Sequence, residues 1–199
     1  MKKAAIFTDL IGYEAIGRKT AVLTSKAQDF TLNDTKGNSV FAGKVTHFGM
    51  DKLSGDDVYI ADFTGFEGEG EYYLSADSGA VSERFFIGRS VHSKVLDDMT
   101  KAFYYLRCGC GLDEKHAGKF SHGRCHTEPA MLWEDHSVSL DVSGGWHDAG
   151  DYGRYVTAGA CALAHLLYAY EMFPRTFDRQ NINIPESGGA LPDILAECK

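Results

Sequence analysis

Two aspartates in the second half of the chain have the spacing and surroundings of a hydrolytic site. Asp148 and Asp151 lie three residues apart within residues 141–155, among glycines and beside aromatic residues. Because glycines permit tight backbone turns and small neighbours leave room, both carboxylates are expected to be accessible. Two such carboxylates can hold one water from two sides, and one of them can accept its proton. This arrangement is the general-base half of an inverting glycosidase, in which water attacks the sugar opposite the acid.

The same residues also have simpler structural interpretations. A pair of aspartates at this spacing more often caps a helix, lines a turn or binds calcium. Trp146 and the nearby tyrosines could offer apolar faces to sugar rings, although a single tryptophan is more often a core residue. The residue types alone therefore leave catalysis and a structural role both open.

The cysteines and histidines of this half suggest a metal site. All five cysteines lie there, and an odd number weakens a disulfide framework. Cys108, Cys125, His126 and His147 form a Cys2His2 set, the donor types that close a tetrahedral structural zinc site. Their spacing differs from that of zinc fingers, so spacing alone is a weak signal. Cys110 could replace Cys108 as a ligand.

The elements that must position these residues change character near residue 88. The first 88 residues contain short apolar runs separated by Gly, Asn and Asp turn signals. This pattern predicts an antiparallel β-sandwich of roughly one hundred residues. The predicted strands include residues 20–23, 29–32, 58–63, 72–74 and 84–87.

Beyond residue 88 the apolar period becomes helical. An apolar stripe at intervals of three to four residues predicts a first helix, with Ser90 as its N-cap. The stripe consists of Val91, Val95, Leu96, Met99, Phe103 and Leu106. A second helix is predicted over residues 156–172, ended by Pro174, and a last one begins near residues 189–193. Cys161 is expected to be buried in the second helix, and residues 109–145 are predicted to form a long ordered loop.

Residues 141–155 closely resemble the Gly-Gly-Trp-x-Asp-Ala-Gly-Asp motif of glycoside hydrolase family 9, the inverting endoglucanase family. Residues 183–188, followed by residues 192–195, look like the next recognisable block of that family. The N-terminal part resembles the immunoglobulin-like module that precedes the catalytic domain in one branch. Of the Asn-Gln-x-Gly-Tyr sequence that usually opens this module, only Gly12 and Tyr13 are kept.

The resemblance implies a multidomain chain with a site of known type. Residues 1–88 would be an all-β immunoglobulin-like sandwich, and residues 89–199 the first helices of an incomplete all-α (α/α)6 barrel. Asp151 would be the general base, and Asp148 would help to hold the nucleophilic water. Trp146 is the substrate-binding candidate, from its residue type and place beside this pair. The substrates would be β-1,4-glucans or cello-oligosaccharides.

The resemblance also bears on the metal. The same branch carries a zinc site whose pattern the set Cys108, Cys125, His126 and His147 looks like. We therefore expect a structural zinc that joins the first helix to the long loop. It would fix His147, which directly precedes Asp148.

The general acid is not recognisable in this sequence. The resemblance implies that the acid is a glutamate far downstream, and Glu128, Glu134, Glu171 and Glu186 do not stand in the acid motif. About three of the twelve barrel helices are expected here. We therefore expect the chain to end within the catalytic domain and to be inactive by itself. A glucosaminidase is the alternative within the family, and a non-catalytic glycan- or protein-binding module with structural zinc is the alternative outside it.

Composition excludes several other classes of function. Twenty Lys+Arg against 28 Asp+Glu give a net charge of −8, which argues against binding to nucleic acids or anionic membranes. No apolar run reaches the roughly 18–20 residues that a membrane span needs. Asp9 interrupts the N-terminal apolar stretch, so we expect no export signal and a cytoplasmic protein as written. If the natural protein carries an export signal that this sequence lacks, it would be secreted.

Overall fold

A computed structural model describes residues 5–199. Residues 1–4 lie outside the described residues. They belong to the N-terminal stretch in which we expect no export signal. The chain divides into two compact units, one ending at Lys94 and one spanning Val95–Lys199. The domain boundary that we predict after residue 88 stays a prediction.

The first unit is built on one curled sheet of eight strands in the order β1-β3-β6-β5-β4-β7-β8-β2. The strands are β1 (Ile6–Phe7), β2 (Tyr13–Glu14), β3 (Thr20–Leu23), β4 (Asp29–Asp34), β5 (Ser39–Met50), β6 (Asp57–Asp62), β7 (Gly70–Ala76) and β8 (Phe85–Gly88). The long β5 pairs with β4 through residues 39–44 and with β6 through residues 45–50. The strand β5 therefore belongs to both halves of the curled sheet, and the two halves enclose a common apolar core. The largest fully buried side chains in it are Leu23, Phe30, Leu32, Phe63, Leu74 and Ile87.

The strands predicted from sequence are confirmed, with two corrections. All pairings in this sheet are antiparallel except that β2 lies parallel to β8, so a purely antiparallel sandwich is wrong. The strands β1, β2 and β5 were not predicted, and β5 is the longest of the sheet. None of its residues is fully buried, and Gly43, Lys44 and Gly49 interrupt its apolar residues, so it lacks an apolar run.

The second unit is mainly helical. Its elements are α1 (Ser93–Tyr105, beginning just before the division), α2 (Glu114–Ala117), a 3-10 turn (Gly118–Phe120), β9 (Ala130–Met131), β10 (Ser139–Leu140), α3 (Val156–Met172), α4 (Pro174–Phe177) and α5 (Asp193–Glu197). The bounds predicted for the second helix are confirmed by α3. The segment 109–145 is more ordered than predicted, because it contains α2, the 3-10 turn and the β9–β10 hairpin. None of the described helices has the length and apolar character needed to cross a bilayer.

Three details of the helices differ from the expectations. Ser90 does not cap α1, because it has a φ of 60° and its carbonyl accepts a turn hydrogen bond from the N–H of Ser93. The buried side chains of α1 are Thr100 and Tyr104, whereas Met99 of the predicted stripe is 65% exposed. Cys161 is exposed rather than buried, since no residue of α3 is buried in the described chain.

A small core organises the second unit around α1. Tyr104 packs with residues from three places: the helix α2, the segment between α1 and α2, and the segment before α5. The buried members are Tyr104, Leu112, Ala117, Ile182 and Ile184. Buried Asp193 accepts hydrogen bonds from the N–H of Ile182 and the hydroxyl of Ser187. These contacts hold the start of α5 close to the C-terminal end of α1.

Candidate active site and metal centre

The loop that carries the two aspartates is joined to the end of α1 by an antiparallel bridge between Arg107 and Trp146. Two backbone hydrogen bonds of 2.8 Å form this bridge. They run from Cys108 N to Gly145 O and from His147 N to Leu106 O. Because successive side chains of an extended segment point to opposite faces, Trp146 and His147 reach different surroundings.

The two aspartates lie on a tight turn directly after this bridge. Asp148 N donates to the carbonyl of Gly153 over 2.8 Å, and Tyr152 occupies the turn with a φ of 58°. Oδ1 of Asp151 accepts a 3.0 Å hydrogen bond from Gly153 N, and its Oδ2 accepts one of 3.1 Å from the hydroxyl of Tyr155. Both carboxylates are exposed, so the turn presents them to solvent as the sequence predicts.

The hydrogen bonds also set the charge of Asp151. The N–H of Gly153, followed by the hydroxyl of Tyr155, lowers the pKa of the Asp151 carboxyl below its ordinary value. Conversely, the hydrogen bond to the Asp151 carboxylate raises the pKa of Tyr155. Asp151 is therefore ionised at neutral pH, as a general base must be before it accepts a proton.

The four predicted metal ligands come together in space. One ligand atom each from Cys108, Cys125, His126 and His147 lies within 4.8 Å of all the others. Cys125 Sγ lies 3.7 Å from His147 Nε2, while His147 Nδ1 lies 3.3 Å from the carbonyl oxygen of Tyr152. That carbonyl suits a protonated Nδ1, which leaves Nε2 free to bind a metal. Two thiolates and two imidazoles fit a tetrahedral metal ion.

Other predicted residues lie outside this group. Cys110, the alternative to Cys108, is not among the described residues that form it. Burial also raises the pKa of the Cys110 thiol above its ordinary value, which disfavours the thiolate form that binds a metal. Trp146 is half-buried: its ring meets Phe103 edge-on at 5.1 Å, and its Nε1 donates a 2.9 Å hydrogen bond to Glu197. The role of Trp146 in substrate binding stays a prediction.

Sequence reasoning missed one set of residues beside the loop. Arg107 forms ion pairs with Glu186 at 3.0 Å and with Glu197 at 2.8 Å, and the side chain of Glu197 is fully buried. The available signal was a glutamate at the end of α5, directly after the apolar residues 194–196, because a charged residue is buried only when it is paired.

An open cleft of about 1550 Å³ borders this region within the second unit. Trp146, Tyr152 and Tyr155 line one part of it, and residues 185–191 line another. Asp148 and Asp151 are not among its lining residues. The cleft therefore adjoins the aspartate turn without being lined by the two carboxylates.

Comparisons with known proteins agree with this fold. The family model for glycosyl hydrolase family 9 matches residues 92–199, and that for the cellulase N-terminal ig-like domain matches residues 2–80. A cellodextrinase of Butyrivibrio fibrisolvens is 44% identical over 202 residues, which cover 100% of this chain and 36% of that protein. The chain thus spans about a third of the length of this curated relative.

Solved structures give the same result. A single mutant of the thermostable endoglucanase from Alicyclobacillus acidocaldarius superposes with a TM-score of 0.86 at 34% identity, covering 98% of this chain and 35% of that one. A Zn-binding triple mutant of the family 9 endoglucanase J30 gives a TM-score of 0.82 at 32% identity, covering 93% of this chain and 37% of that one.

The two family models thus match an immunoglobulin-like domain followed by the first part of a family 9 domain. The chain belongs to glycosyl hydrolase family 9.

Proposed function

We propose that this chain carries the general-base half of an inverting glycosidase that cleaves β-1,4-glucosidic bonds in glucans or cello-oligosaccharides. The observation that carries the proposal is the ionised, exposed carboxylate of Asp151, which accepts hydrogen bonds from Gly153 and Tyr155. Asp151 follows Asp148 by three residues on the same turn. The cellodextrinase and endoglucanase names of its relatives support this substrate class.

In the proposed reaction, Asp148 and Asp151 hold a water between them, and Asp151 accepts its proton. The water oxygen then bonds to the anomeric carbon on the face opposite the leaving group. The glycosidic bond breaks, and a separate general acid protonates the leaving oxygen, so the product has inverted configuration. The hydroxyl of Tyr155 keeps the Asp151 carboxylate oriented throughout.

We propose further that the general acid is not among these 199 residues. A general acid benefits from a raised pKa, whereas hydrogen bonds from Arg107 lower the pKa of Glu186 against the effect of its burial. Glu197 is buried against the same guanidinium. The chain alone is therefore expected to turn over substrate at a negligible rate.

The helices of the second unit are proposed to be the beginning of an (α/α)6 barrel. Two observations support this proposal. The chain belongs to family 9, and α3 has exposed apolar residues, among which Val156 is 87% exposed and Met172 is 68% exposed. Burial of such residues against neighbouring helices would stabilise the fold.

We propose that the group of Cys108, Cys125, His126 and His147 binds a structural zinc ion. With four protein ligands, the ion would have no open position for water, so its contribution would be to hold the loop. It would anchor His147 and so limit the movement of Asp148, the next residue along the chain. The Zn-binding triple mutant of the family 9 endoglucanase J30 supports the choice of metal.

The test is turnover of cello-oligosaccharides by the full-length protein expressed from its gene. Replacement Asp151→Asn should abolish measurable hydrolysis, with binding of the oligosaccharide retained, because the amide cannot accept the proton. Asp141→Asn, an exposed carboxylate in the same segment, is the matched control and should keep turnover. A wild-type protein that binds the oligosaccharide without cleaving it would favour the non-catalytic binding module instead.

A further inference from the structure

Glu197 concentrates four hydrogen bonds on one buried carboxylate. Its side chain has an exposed fraction of 0%, and that of Arg107 only 17%. Nε of Arg107 donates to both carboxylate oxygens over 3.1 Å, and one terminal nitrogen donates to Oε2 over 2.8 Å. The fourth hydrogen bond comes from Nε1 of Trp146, which lies 2.9 Å from Oε1. Both oxygens are therefore engaged, and every donor belongs to the bridge between α1 and the aspartate loop.

The same two residues are also joined through their backbones. Arg107 and Trp146 are partners in the antiparallel bridge, so Glu197 reinforces with side chains a contact that the main chain already makes. Burial favours the neutral form of Arg107, but its hydrogen bonds to Glu197 and Glu186 outweigh burial and raise the pKa of the guanidinium. The arginine stays charged, and the charge-assisted bonds to Glu197 are of the strong kind.

Two glycines give the loop conformational freedom before Trp146. Gly144 and Gly145, directly before Trp146, have φ values of 96° and 72°, a region that glycine enters at little cost. Within the loop, Arg154 donates hydrogen bonds to the carbonyls of Val142 and Gly144. Because the glycines permit other conformations, the orientation of the following residues depends also on contacts from outside the loop. On one face those contacts come from Glu197 through Trp146, and on the other from the group around His147.

We propose that Glu197 is a positioning residue for hydrolysis, which fixes the Trp146 indole and Arg107 and thereby the place of Asp148 and Asp151. The inference rests on the proposed function. Without the carboxylate, buried N–H donors of Arg107 and Trp146 lose their acceptor, and the bridge relaxes to find new partners. Small displacements of reacting groups reduce the rate of the chemical step far more than they weaken substrate binding.

The experiment compares Glu197→Gln with Glu186→Gln in the full-length protein. Glutamine keeps the size of the side chain but replaces one acceptor oxygen with a donor, which cannot accept from Arg107 or Trp146. Glu186 pairs with the same guanidinium but makes no hydrogen bond to Trp146 in the described chain, so it is the matched control. Thermal unfolding verifies that both variants are folded, and kcat and KM are measured on a cello-oligosaccharide.

A second readout follows the indole directly. The Nε1–H resonance of Trp146, assigned by its loss in Trp146→Phe, reports the hydrogen bond to Glu197. We expect Glu197→Gln to lower kcat by about 100-fold with little change in KM and to shift this resonance upfield. Glu186→Gln is expected to leave the resonance in place and to keep most of kcat.

Three outcomes would overturn the inference. They are an unchanged kcat in Glu197→Gln, an equal loss of kcat in both variants, and a loss of kcat with an unmoved Trp146 resonance. A wild-type protein without glycosidase activity would instead overturn the proposed function. The resonance comparison would then still decide whether Glu197 orients Trp146.

Discussion

The hydroxyl of Tyr155 donates a hydrogen bond of 3.1 Å to Oδ2 of Asp151. Tyr155 follows Asp151 by four positions in the chain, so both donors to this carboxylate come from the same short segment. Gly153 N supplies the second bond, to Oδ1. Both donors favour the ionised form, and this contact therefore links the geometry of the turn to the pH range in which a base at Asp151 can act.

Replacing Tyr155 with Phe should move the acidic limb of the kcat/KM profile to higher pH. The hydrogen bond from Tyr155 helps to lower the pKa of Asp151, after the larger effect of the Gly153 N–H, so its loss raises that pKa. A base must be deprotonated to act, and a higher pKa restricts activity to a higher pH range. The measurement is a pH profile of cello-oligosaccharide hydrolysis by the full-length protein.

Tyr152→Phe is the control for this shift, because Tyr152 packs against His126 and His147 and makes no hydrogen bond from its hydroxyl to Asp151. Its acidic limb should coincide with that of the wild type. A limb that stays in place in Tyr155→Phe, or that moves to lower pH, would contradict the assigned role of the hydroxyl.

The metal proposal predicts one zinc ion per chain. Cys125→Ser should lose this ion, because a hydroxyl is a poor replacement for a thiolate ligand, and should lower the unfolding temperature. Cys110→Ser should retain the ion, since Cys110 lies outside the ligand group. Elemental analysis of the purified proteins, with unfolding measured before and after chelation, makes the comparison. A zinc-free wild type whose stability is unchanged by chelator would show that the group is not a metal site.

Gly109 is predicted to be essential to the bridge between α1 and the aspartate loop. Its φ is 81°, and a Cβ atom there would lie 2.8 Å from the backbone nitrogen of Gly144. Gly109→Ala should therefore lower the free energy of unfolding by about 1–3 kcal/mol. In Gly123→Ala the added Cβ meets no atom within 4 Å, so this variant should be near neutral. Equal stabilities of the two variants in urea unfolding would argue against the close approach.

Much of the fold was predictable because it follows from local pattern. The helix α3 is specified by a long Ala- and Leu-rich stretch that ends before Pro174, and the bounds of this helix matched the prediction. The strand β5 could not be found in this way, because its side chains are exposed or half-buried and glycines interrupt them. Ser90 was misassigned for a related reason: residue type favours an N-cap, but the backbone turns sharply there and α1 begins three residues later.

The site divides in the same manner. Asp148, Asp151 and the four cysteine and histidine residues could be proposed from motif and residue type, and the structure brings the four together. The contact between Arg107 and Glu197 joins residues 90 positions apart, and nothing in a sequence indicates which distant charges meet. The paired aspartates are thus visible in the sequence, whereas the contacts that hold them in place become visible only in the folded structure.

The configuration of the first product tests the central claim most directly. Hydrolysis of a cello-oligosaccharide by the full-length protein is followed by proton NMR before the anomers equilibrate. A base at Asp151 that activates water opposite the leaving group predicts the α-anomer at the newly formed reducing end. Initial formation of the β-anomer would mean retention through a covalent intermediate and would contradict the role assigned to the Asp148 and Asp151 pair.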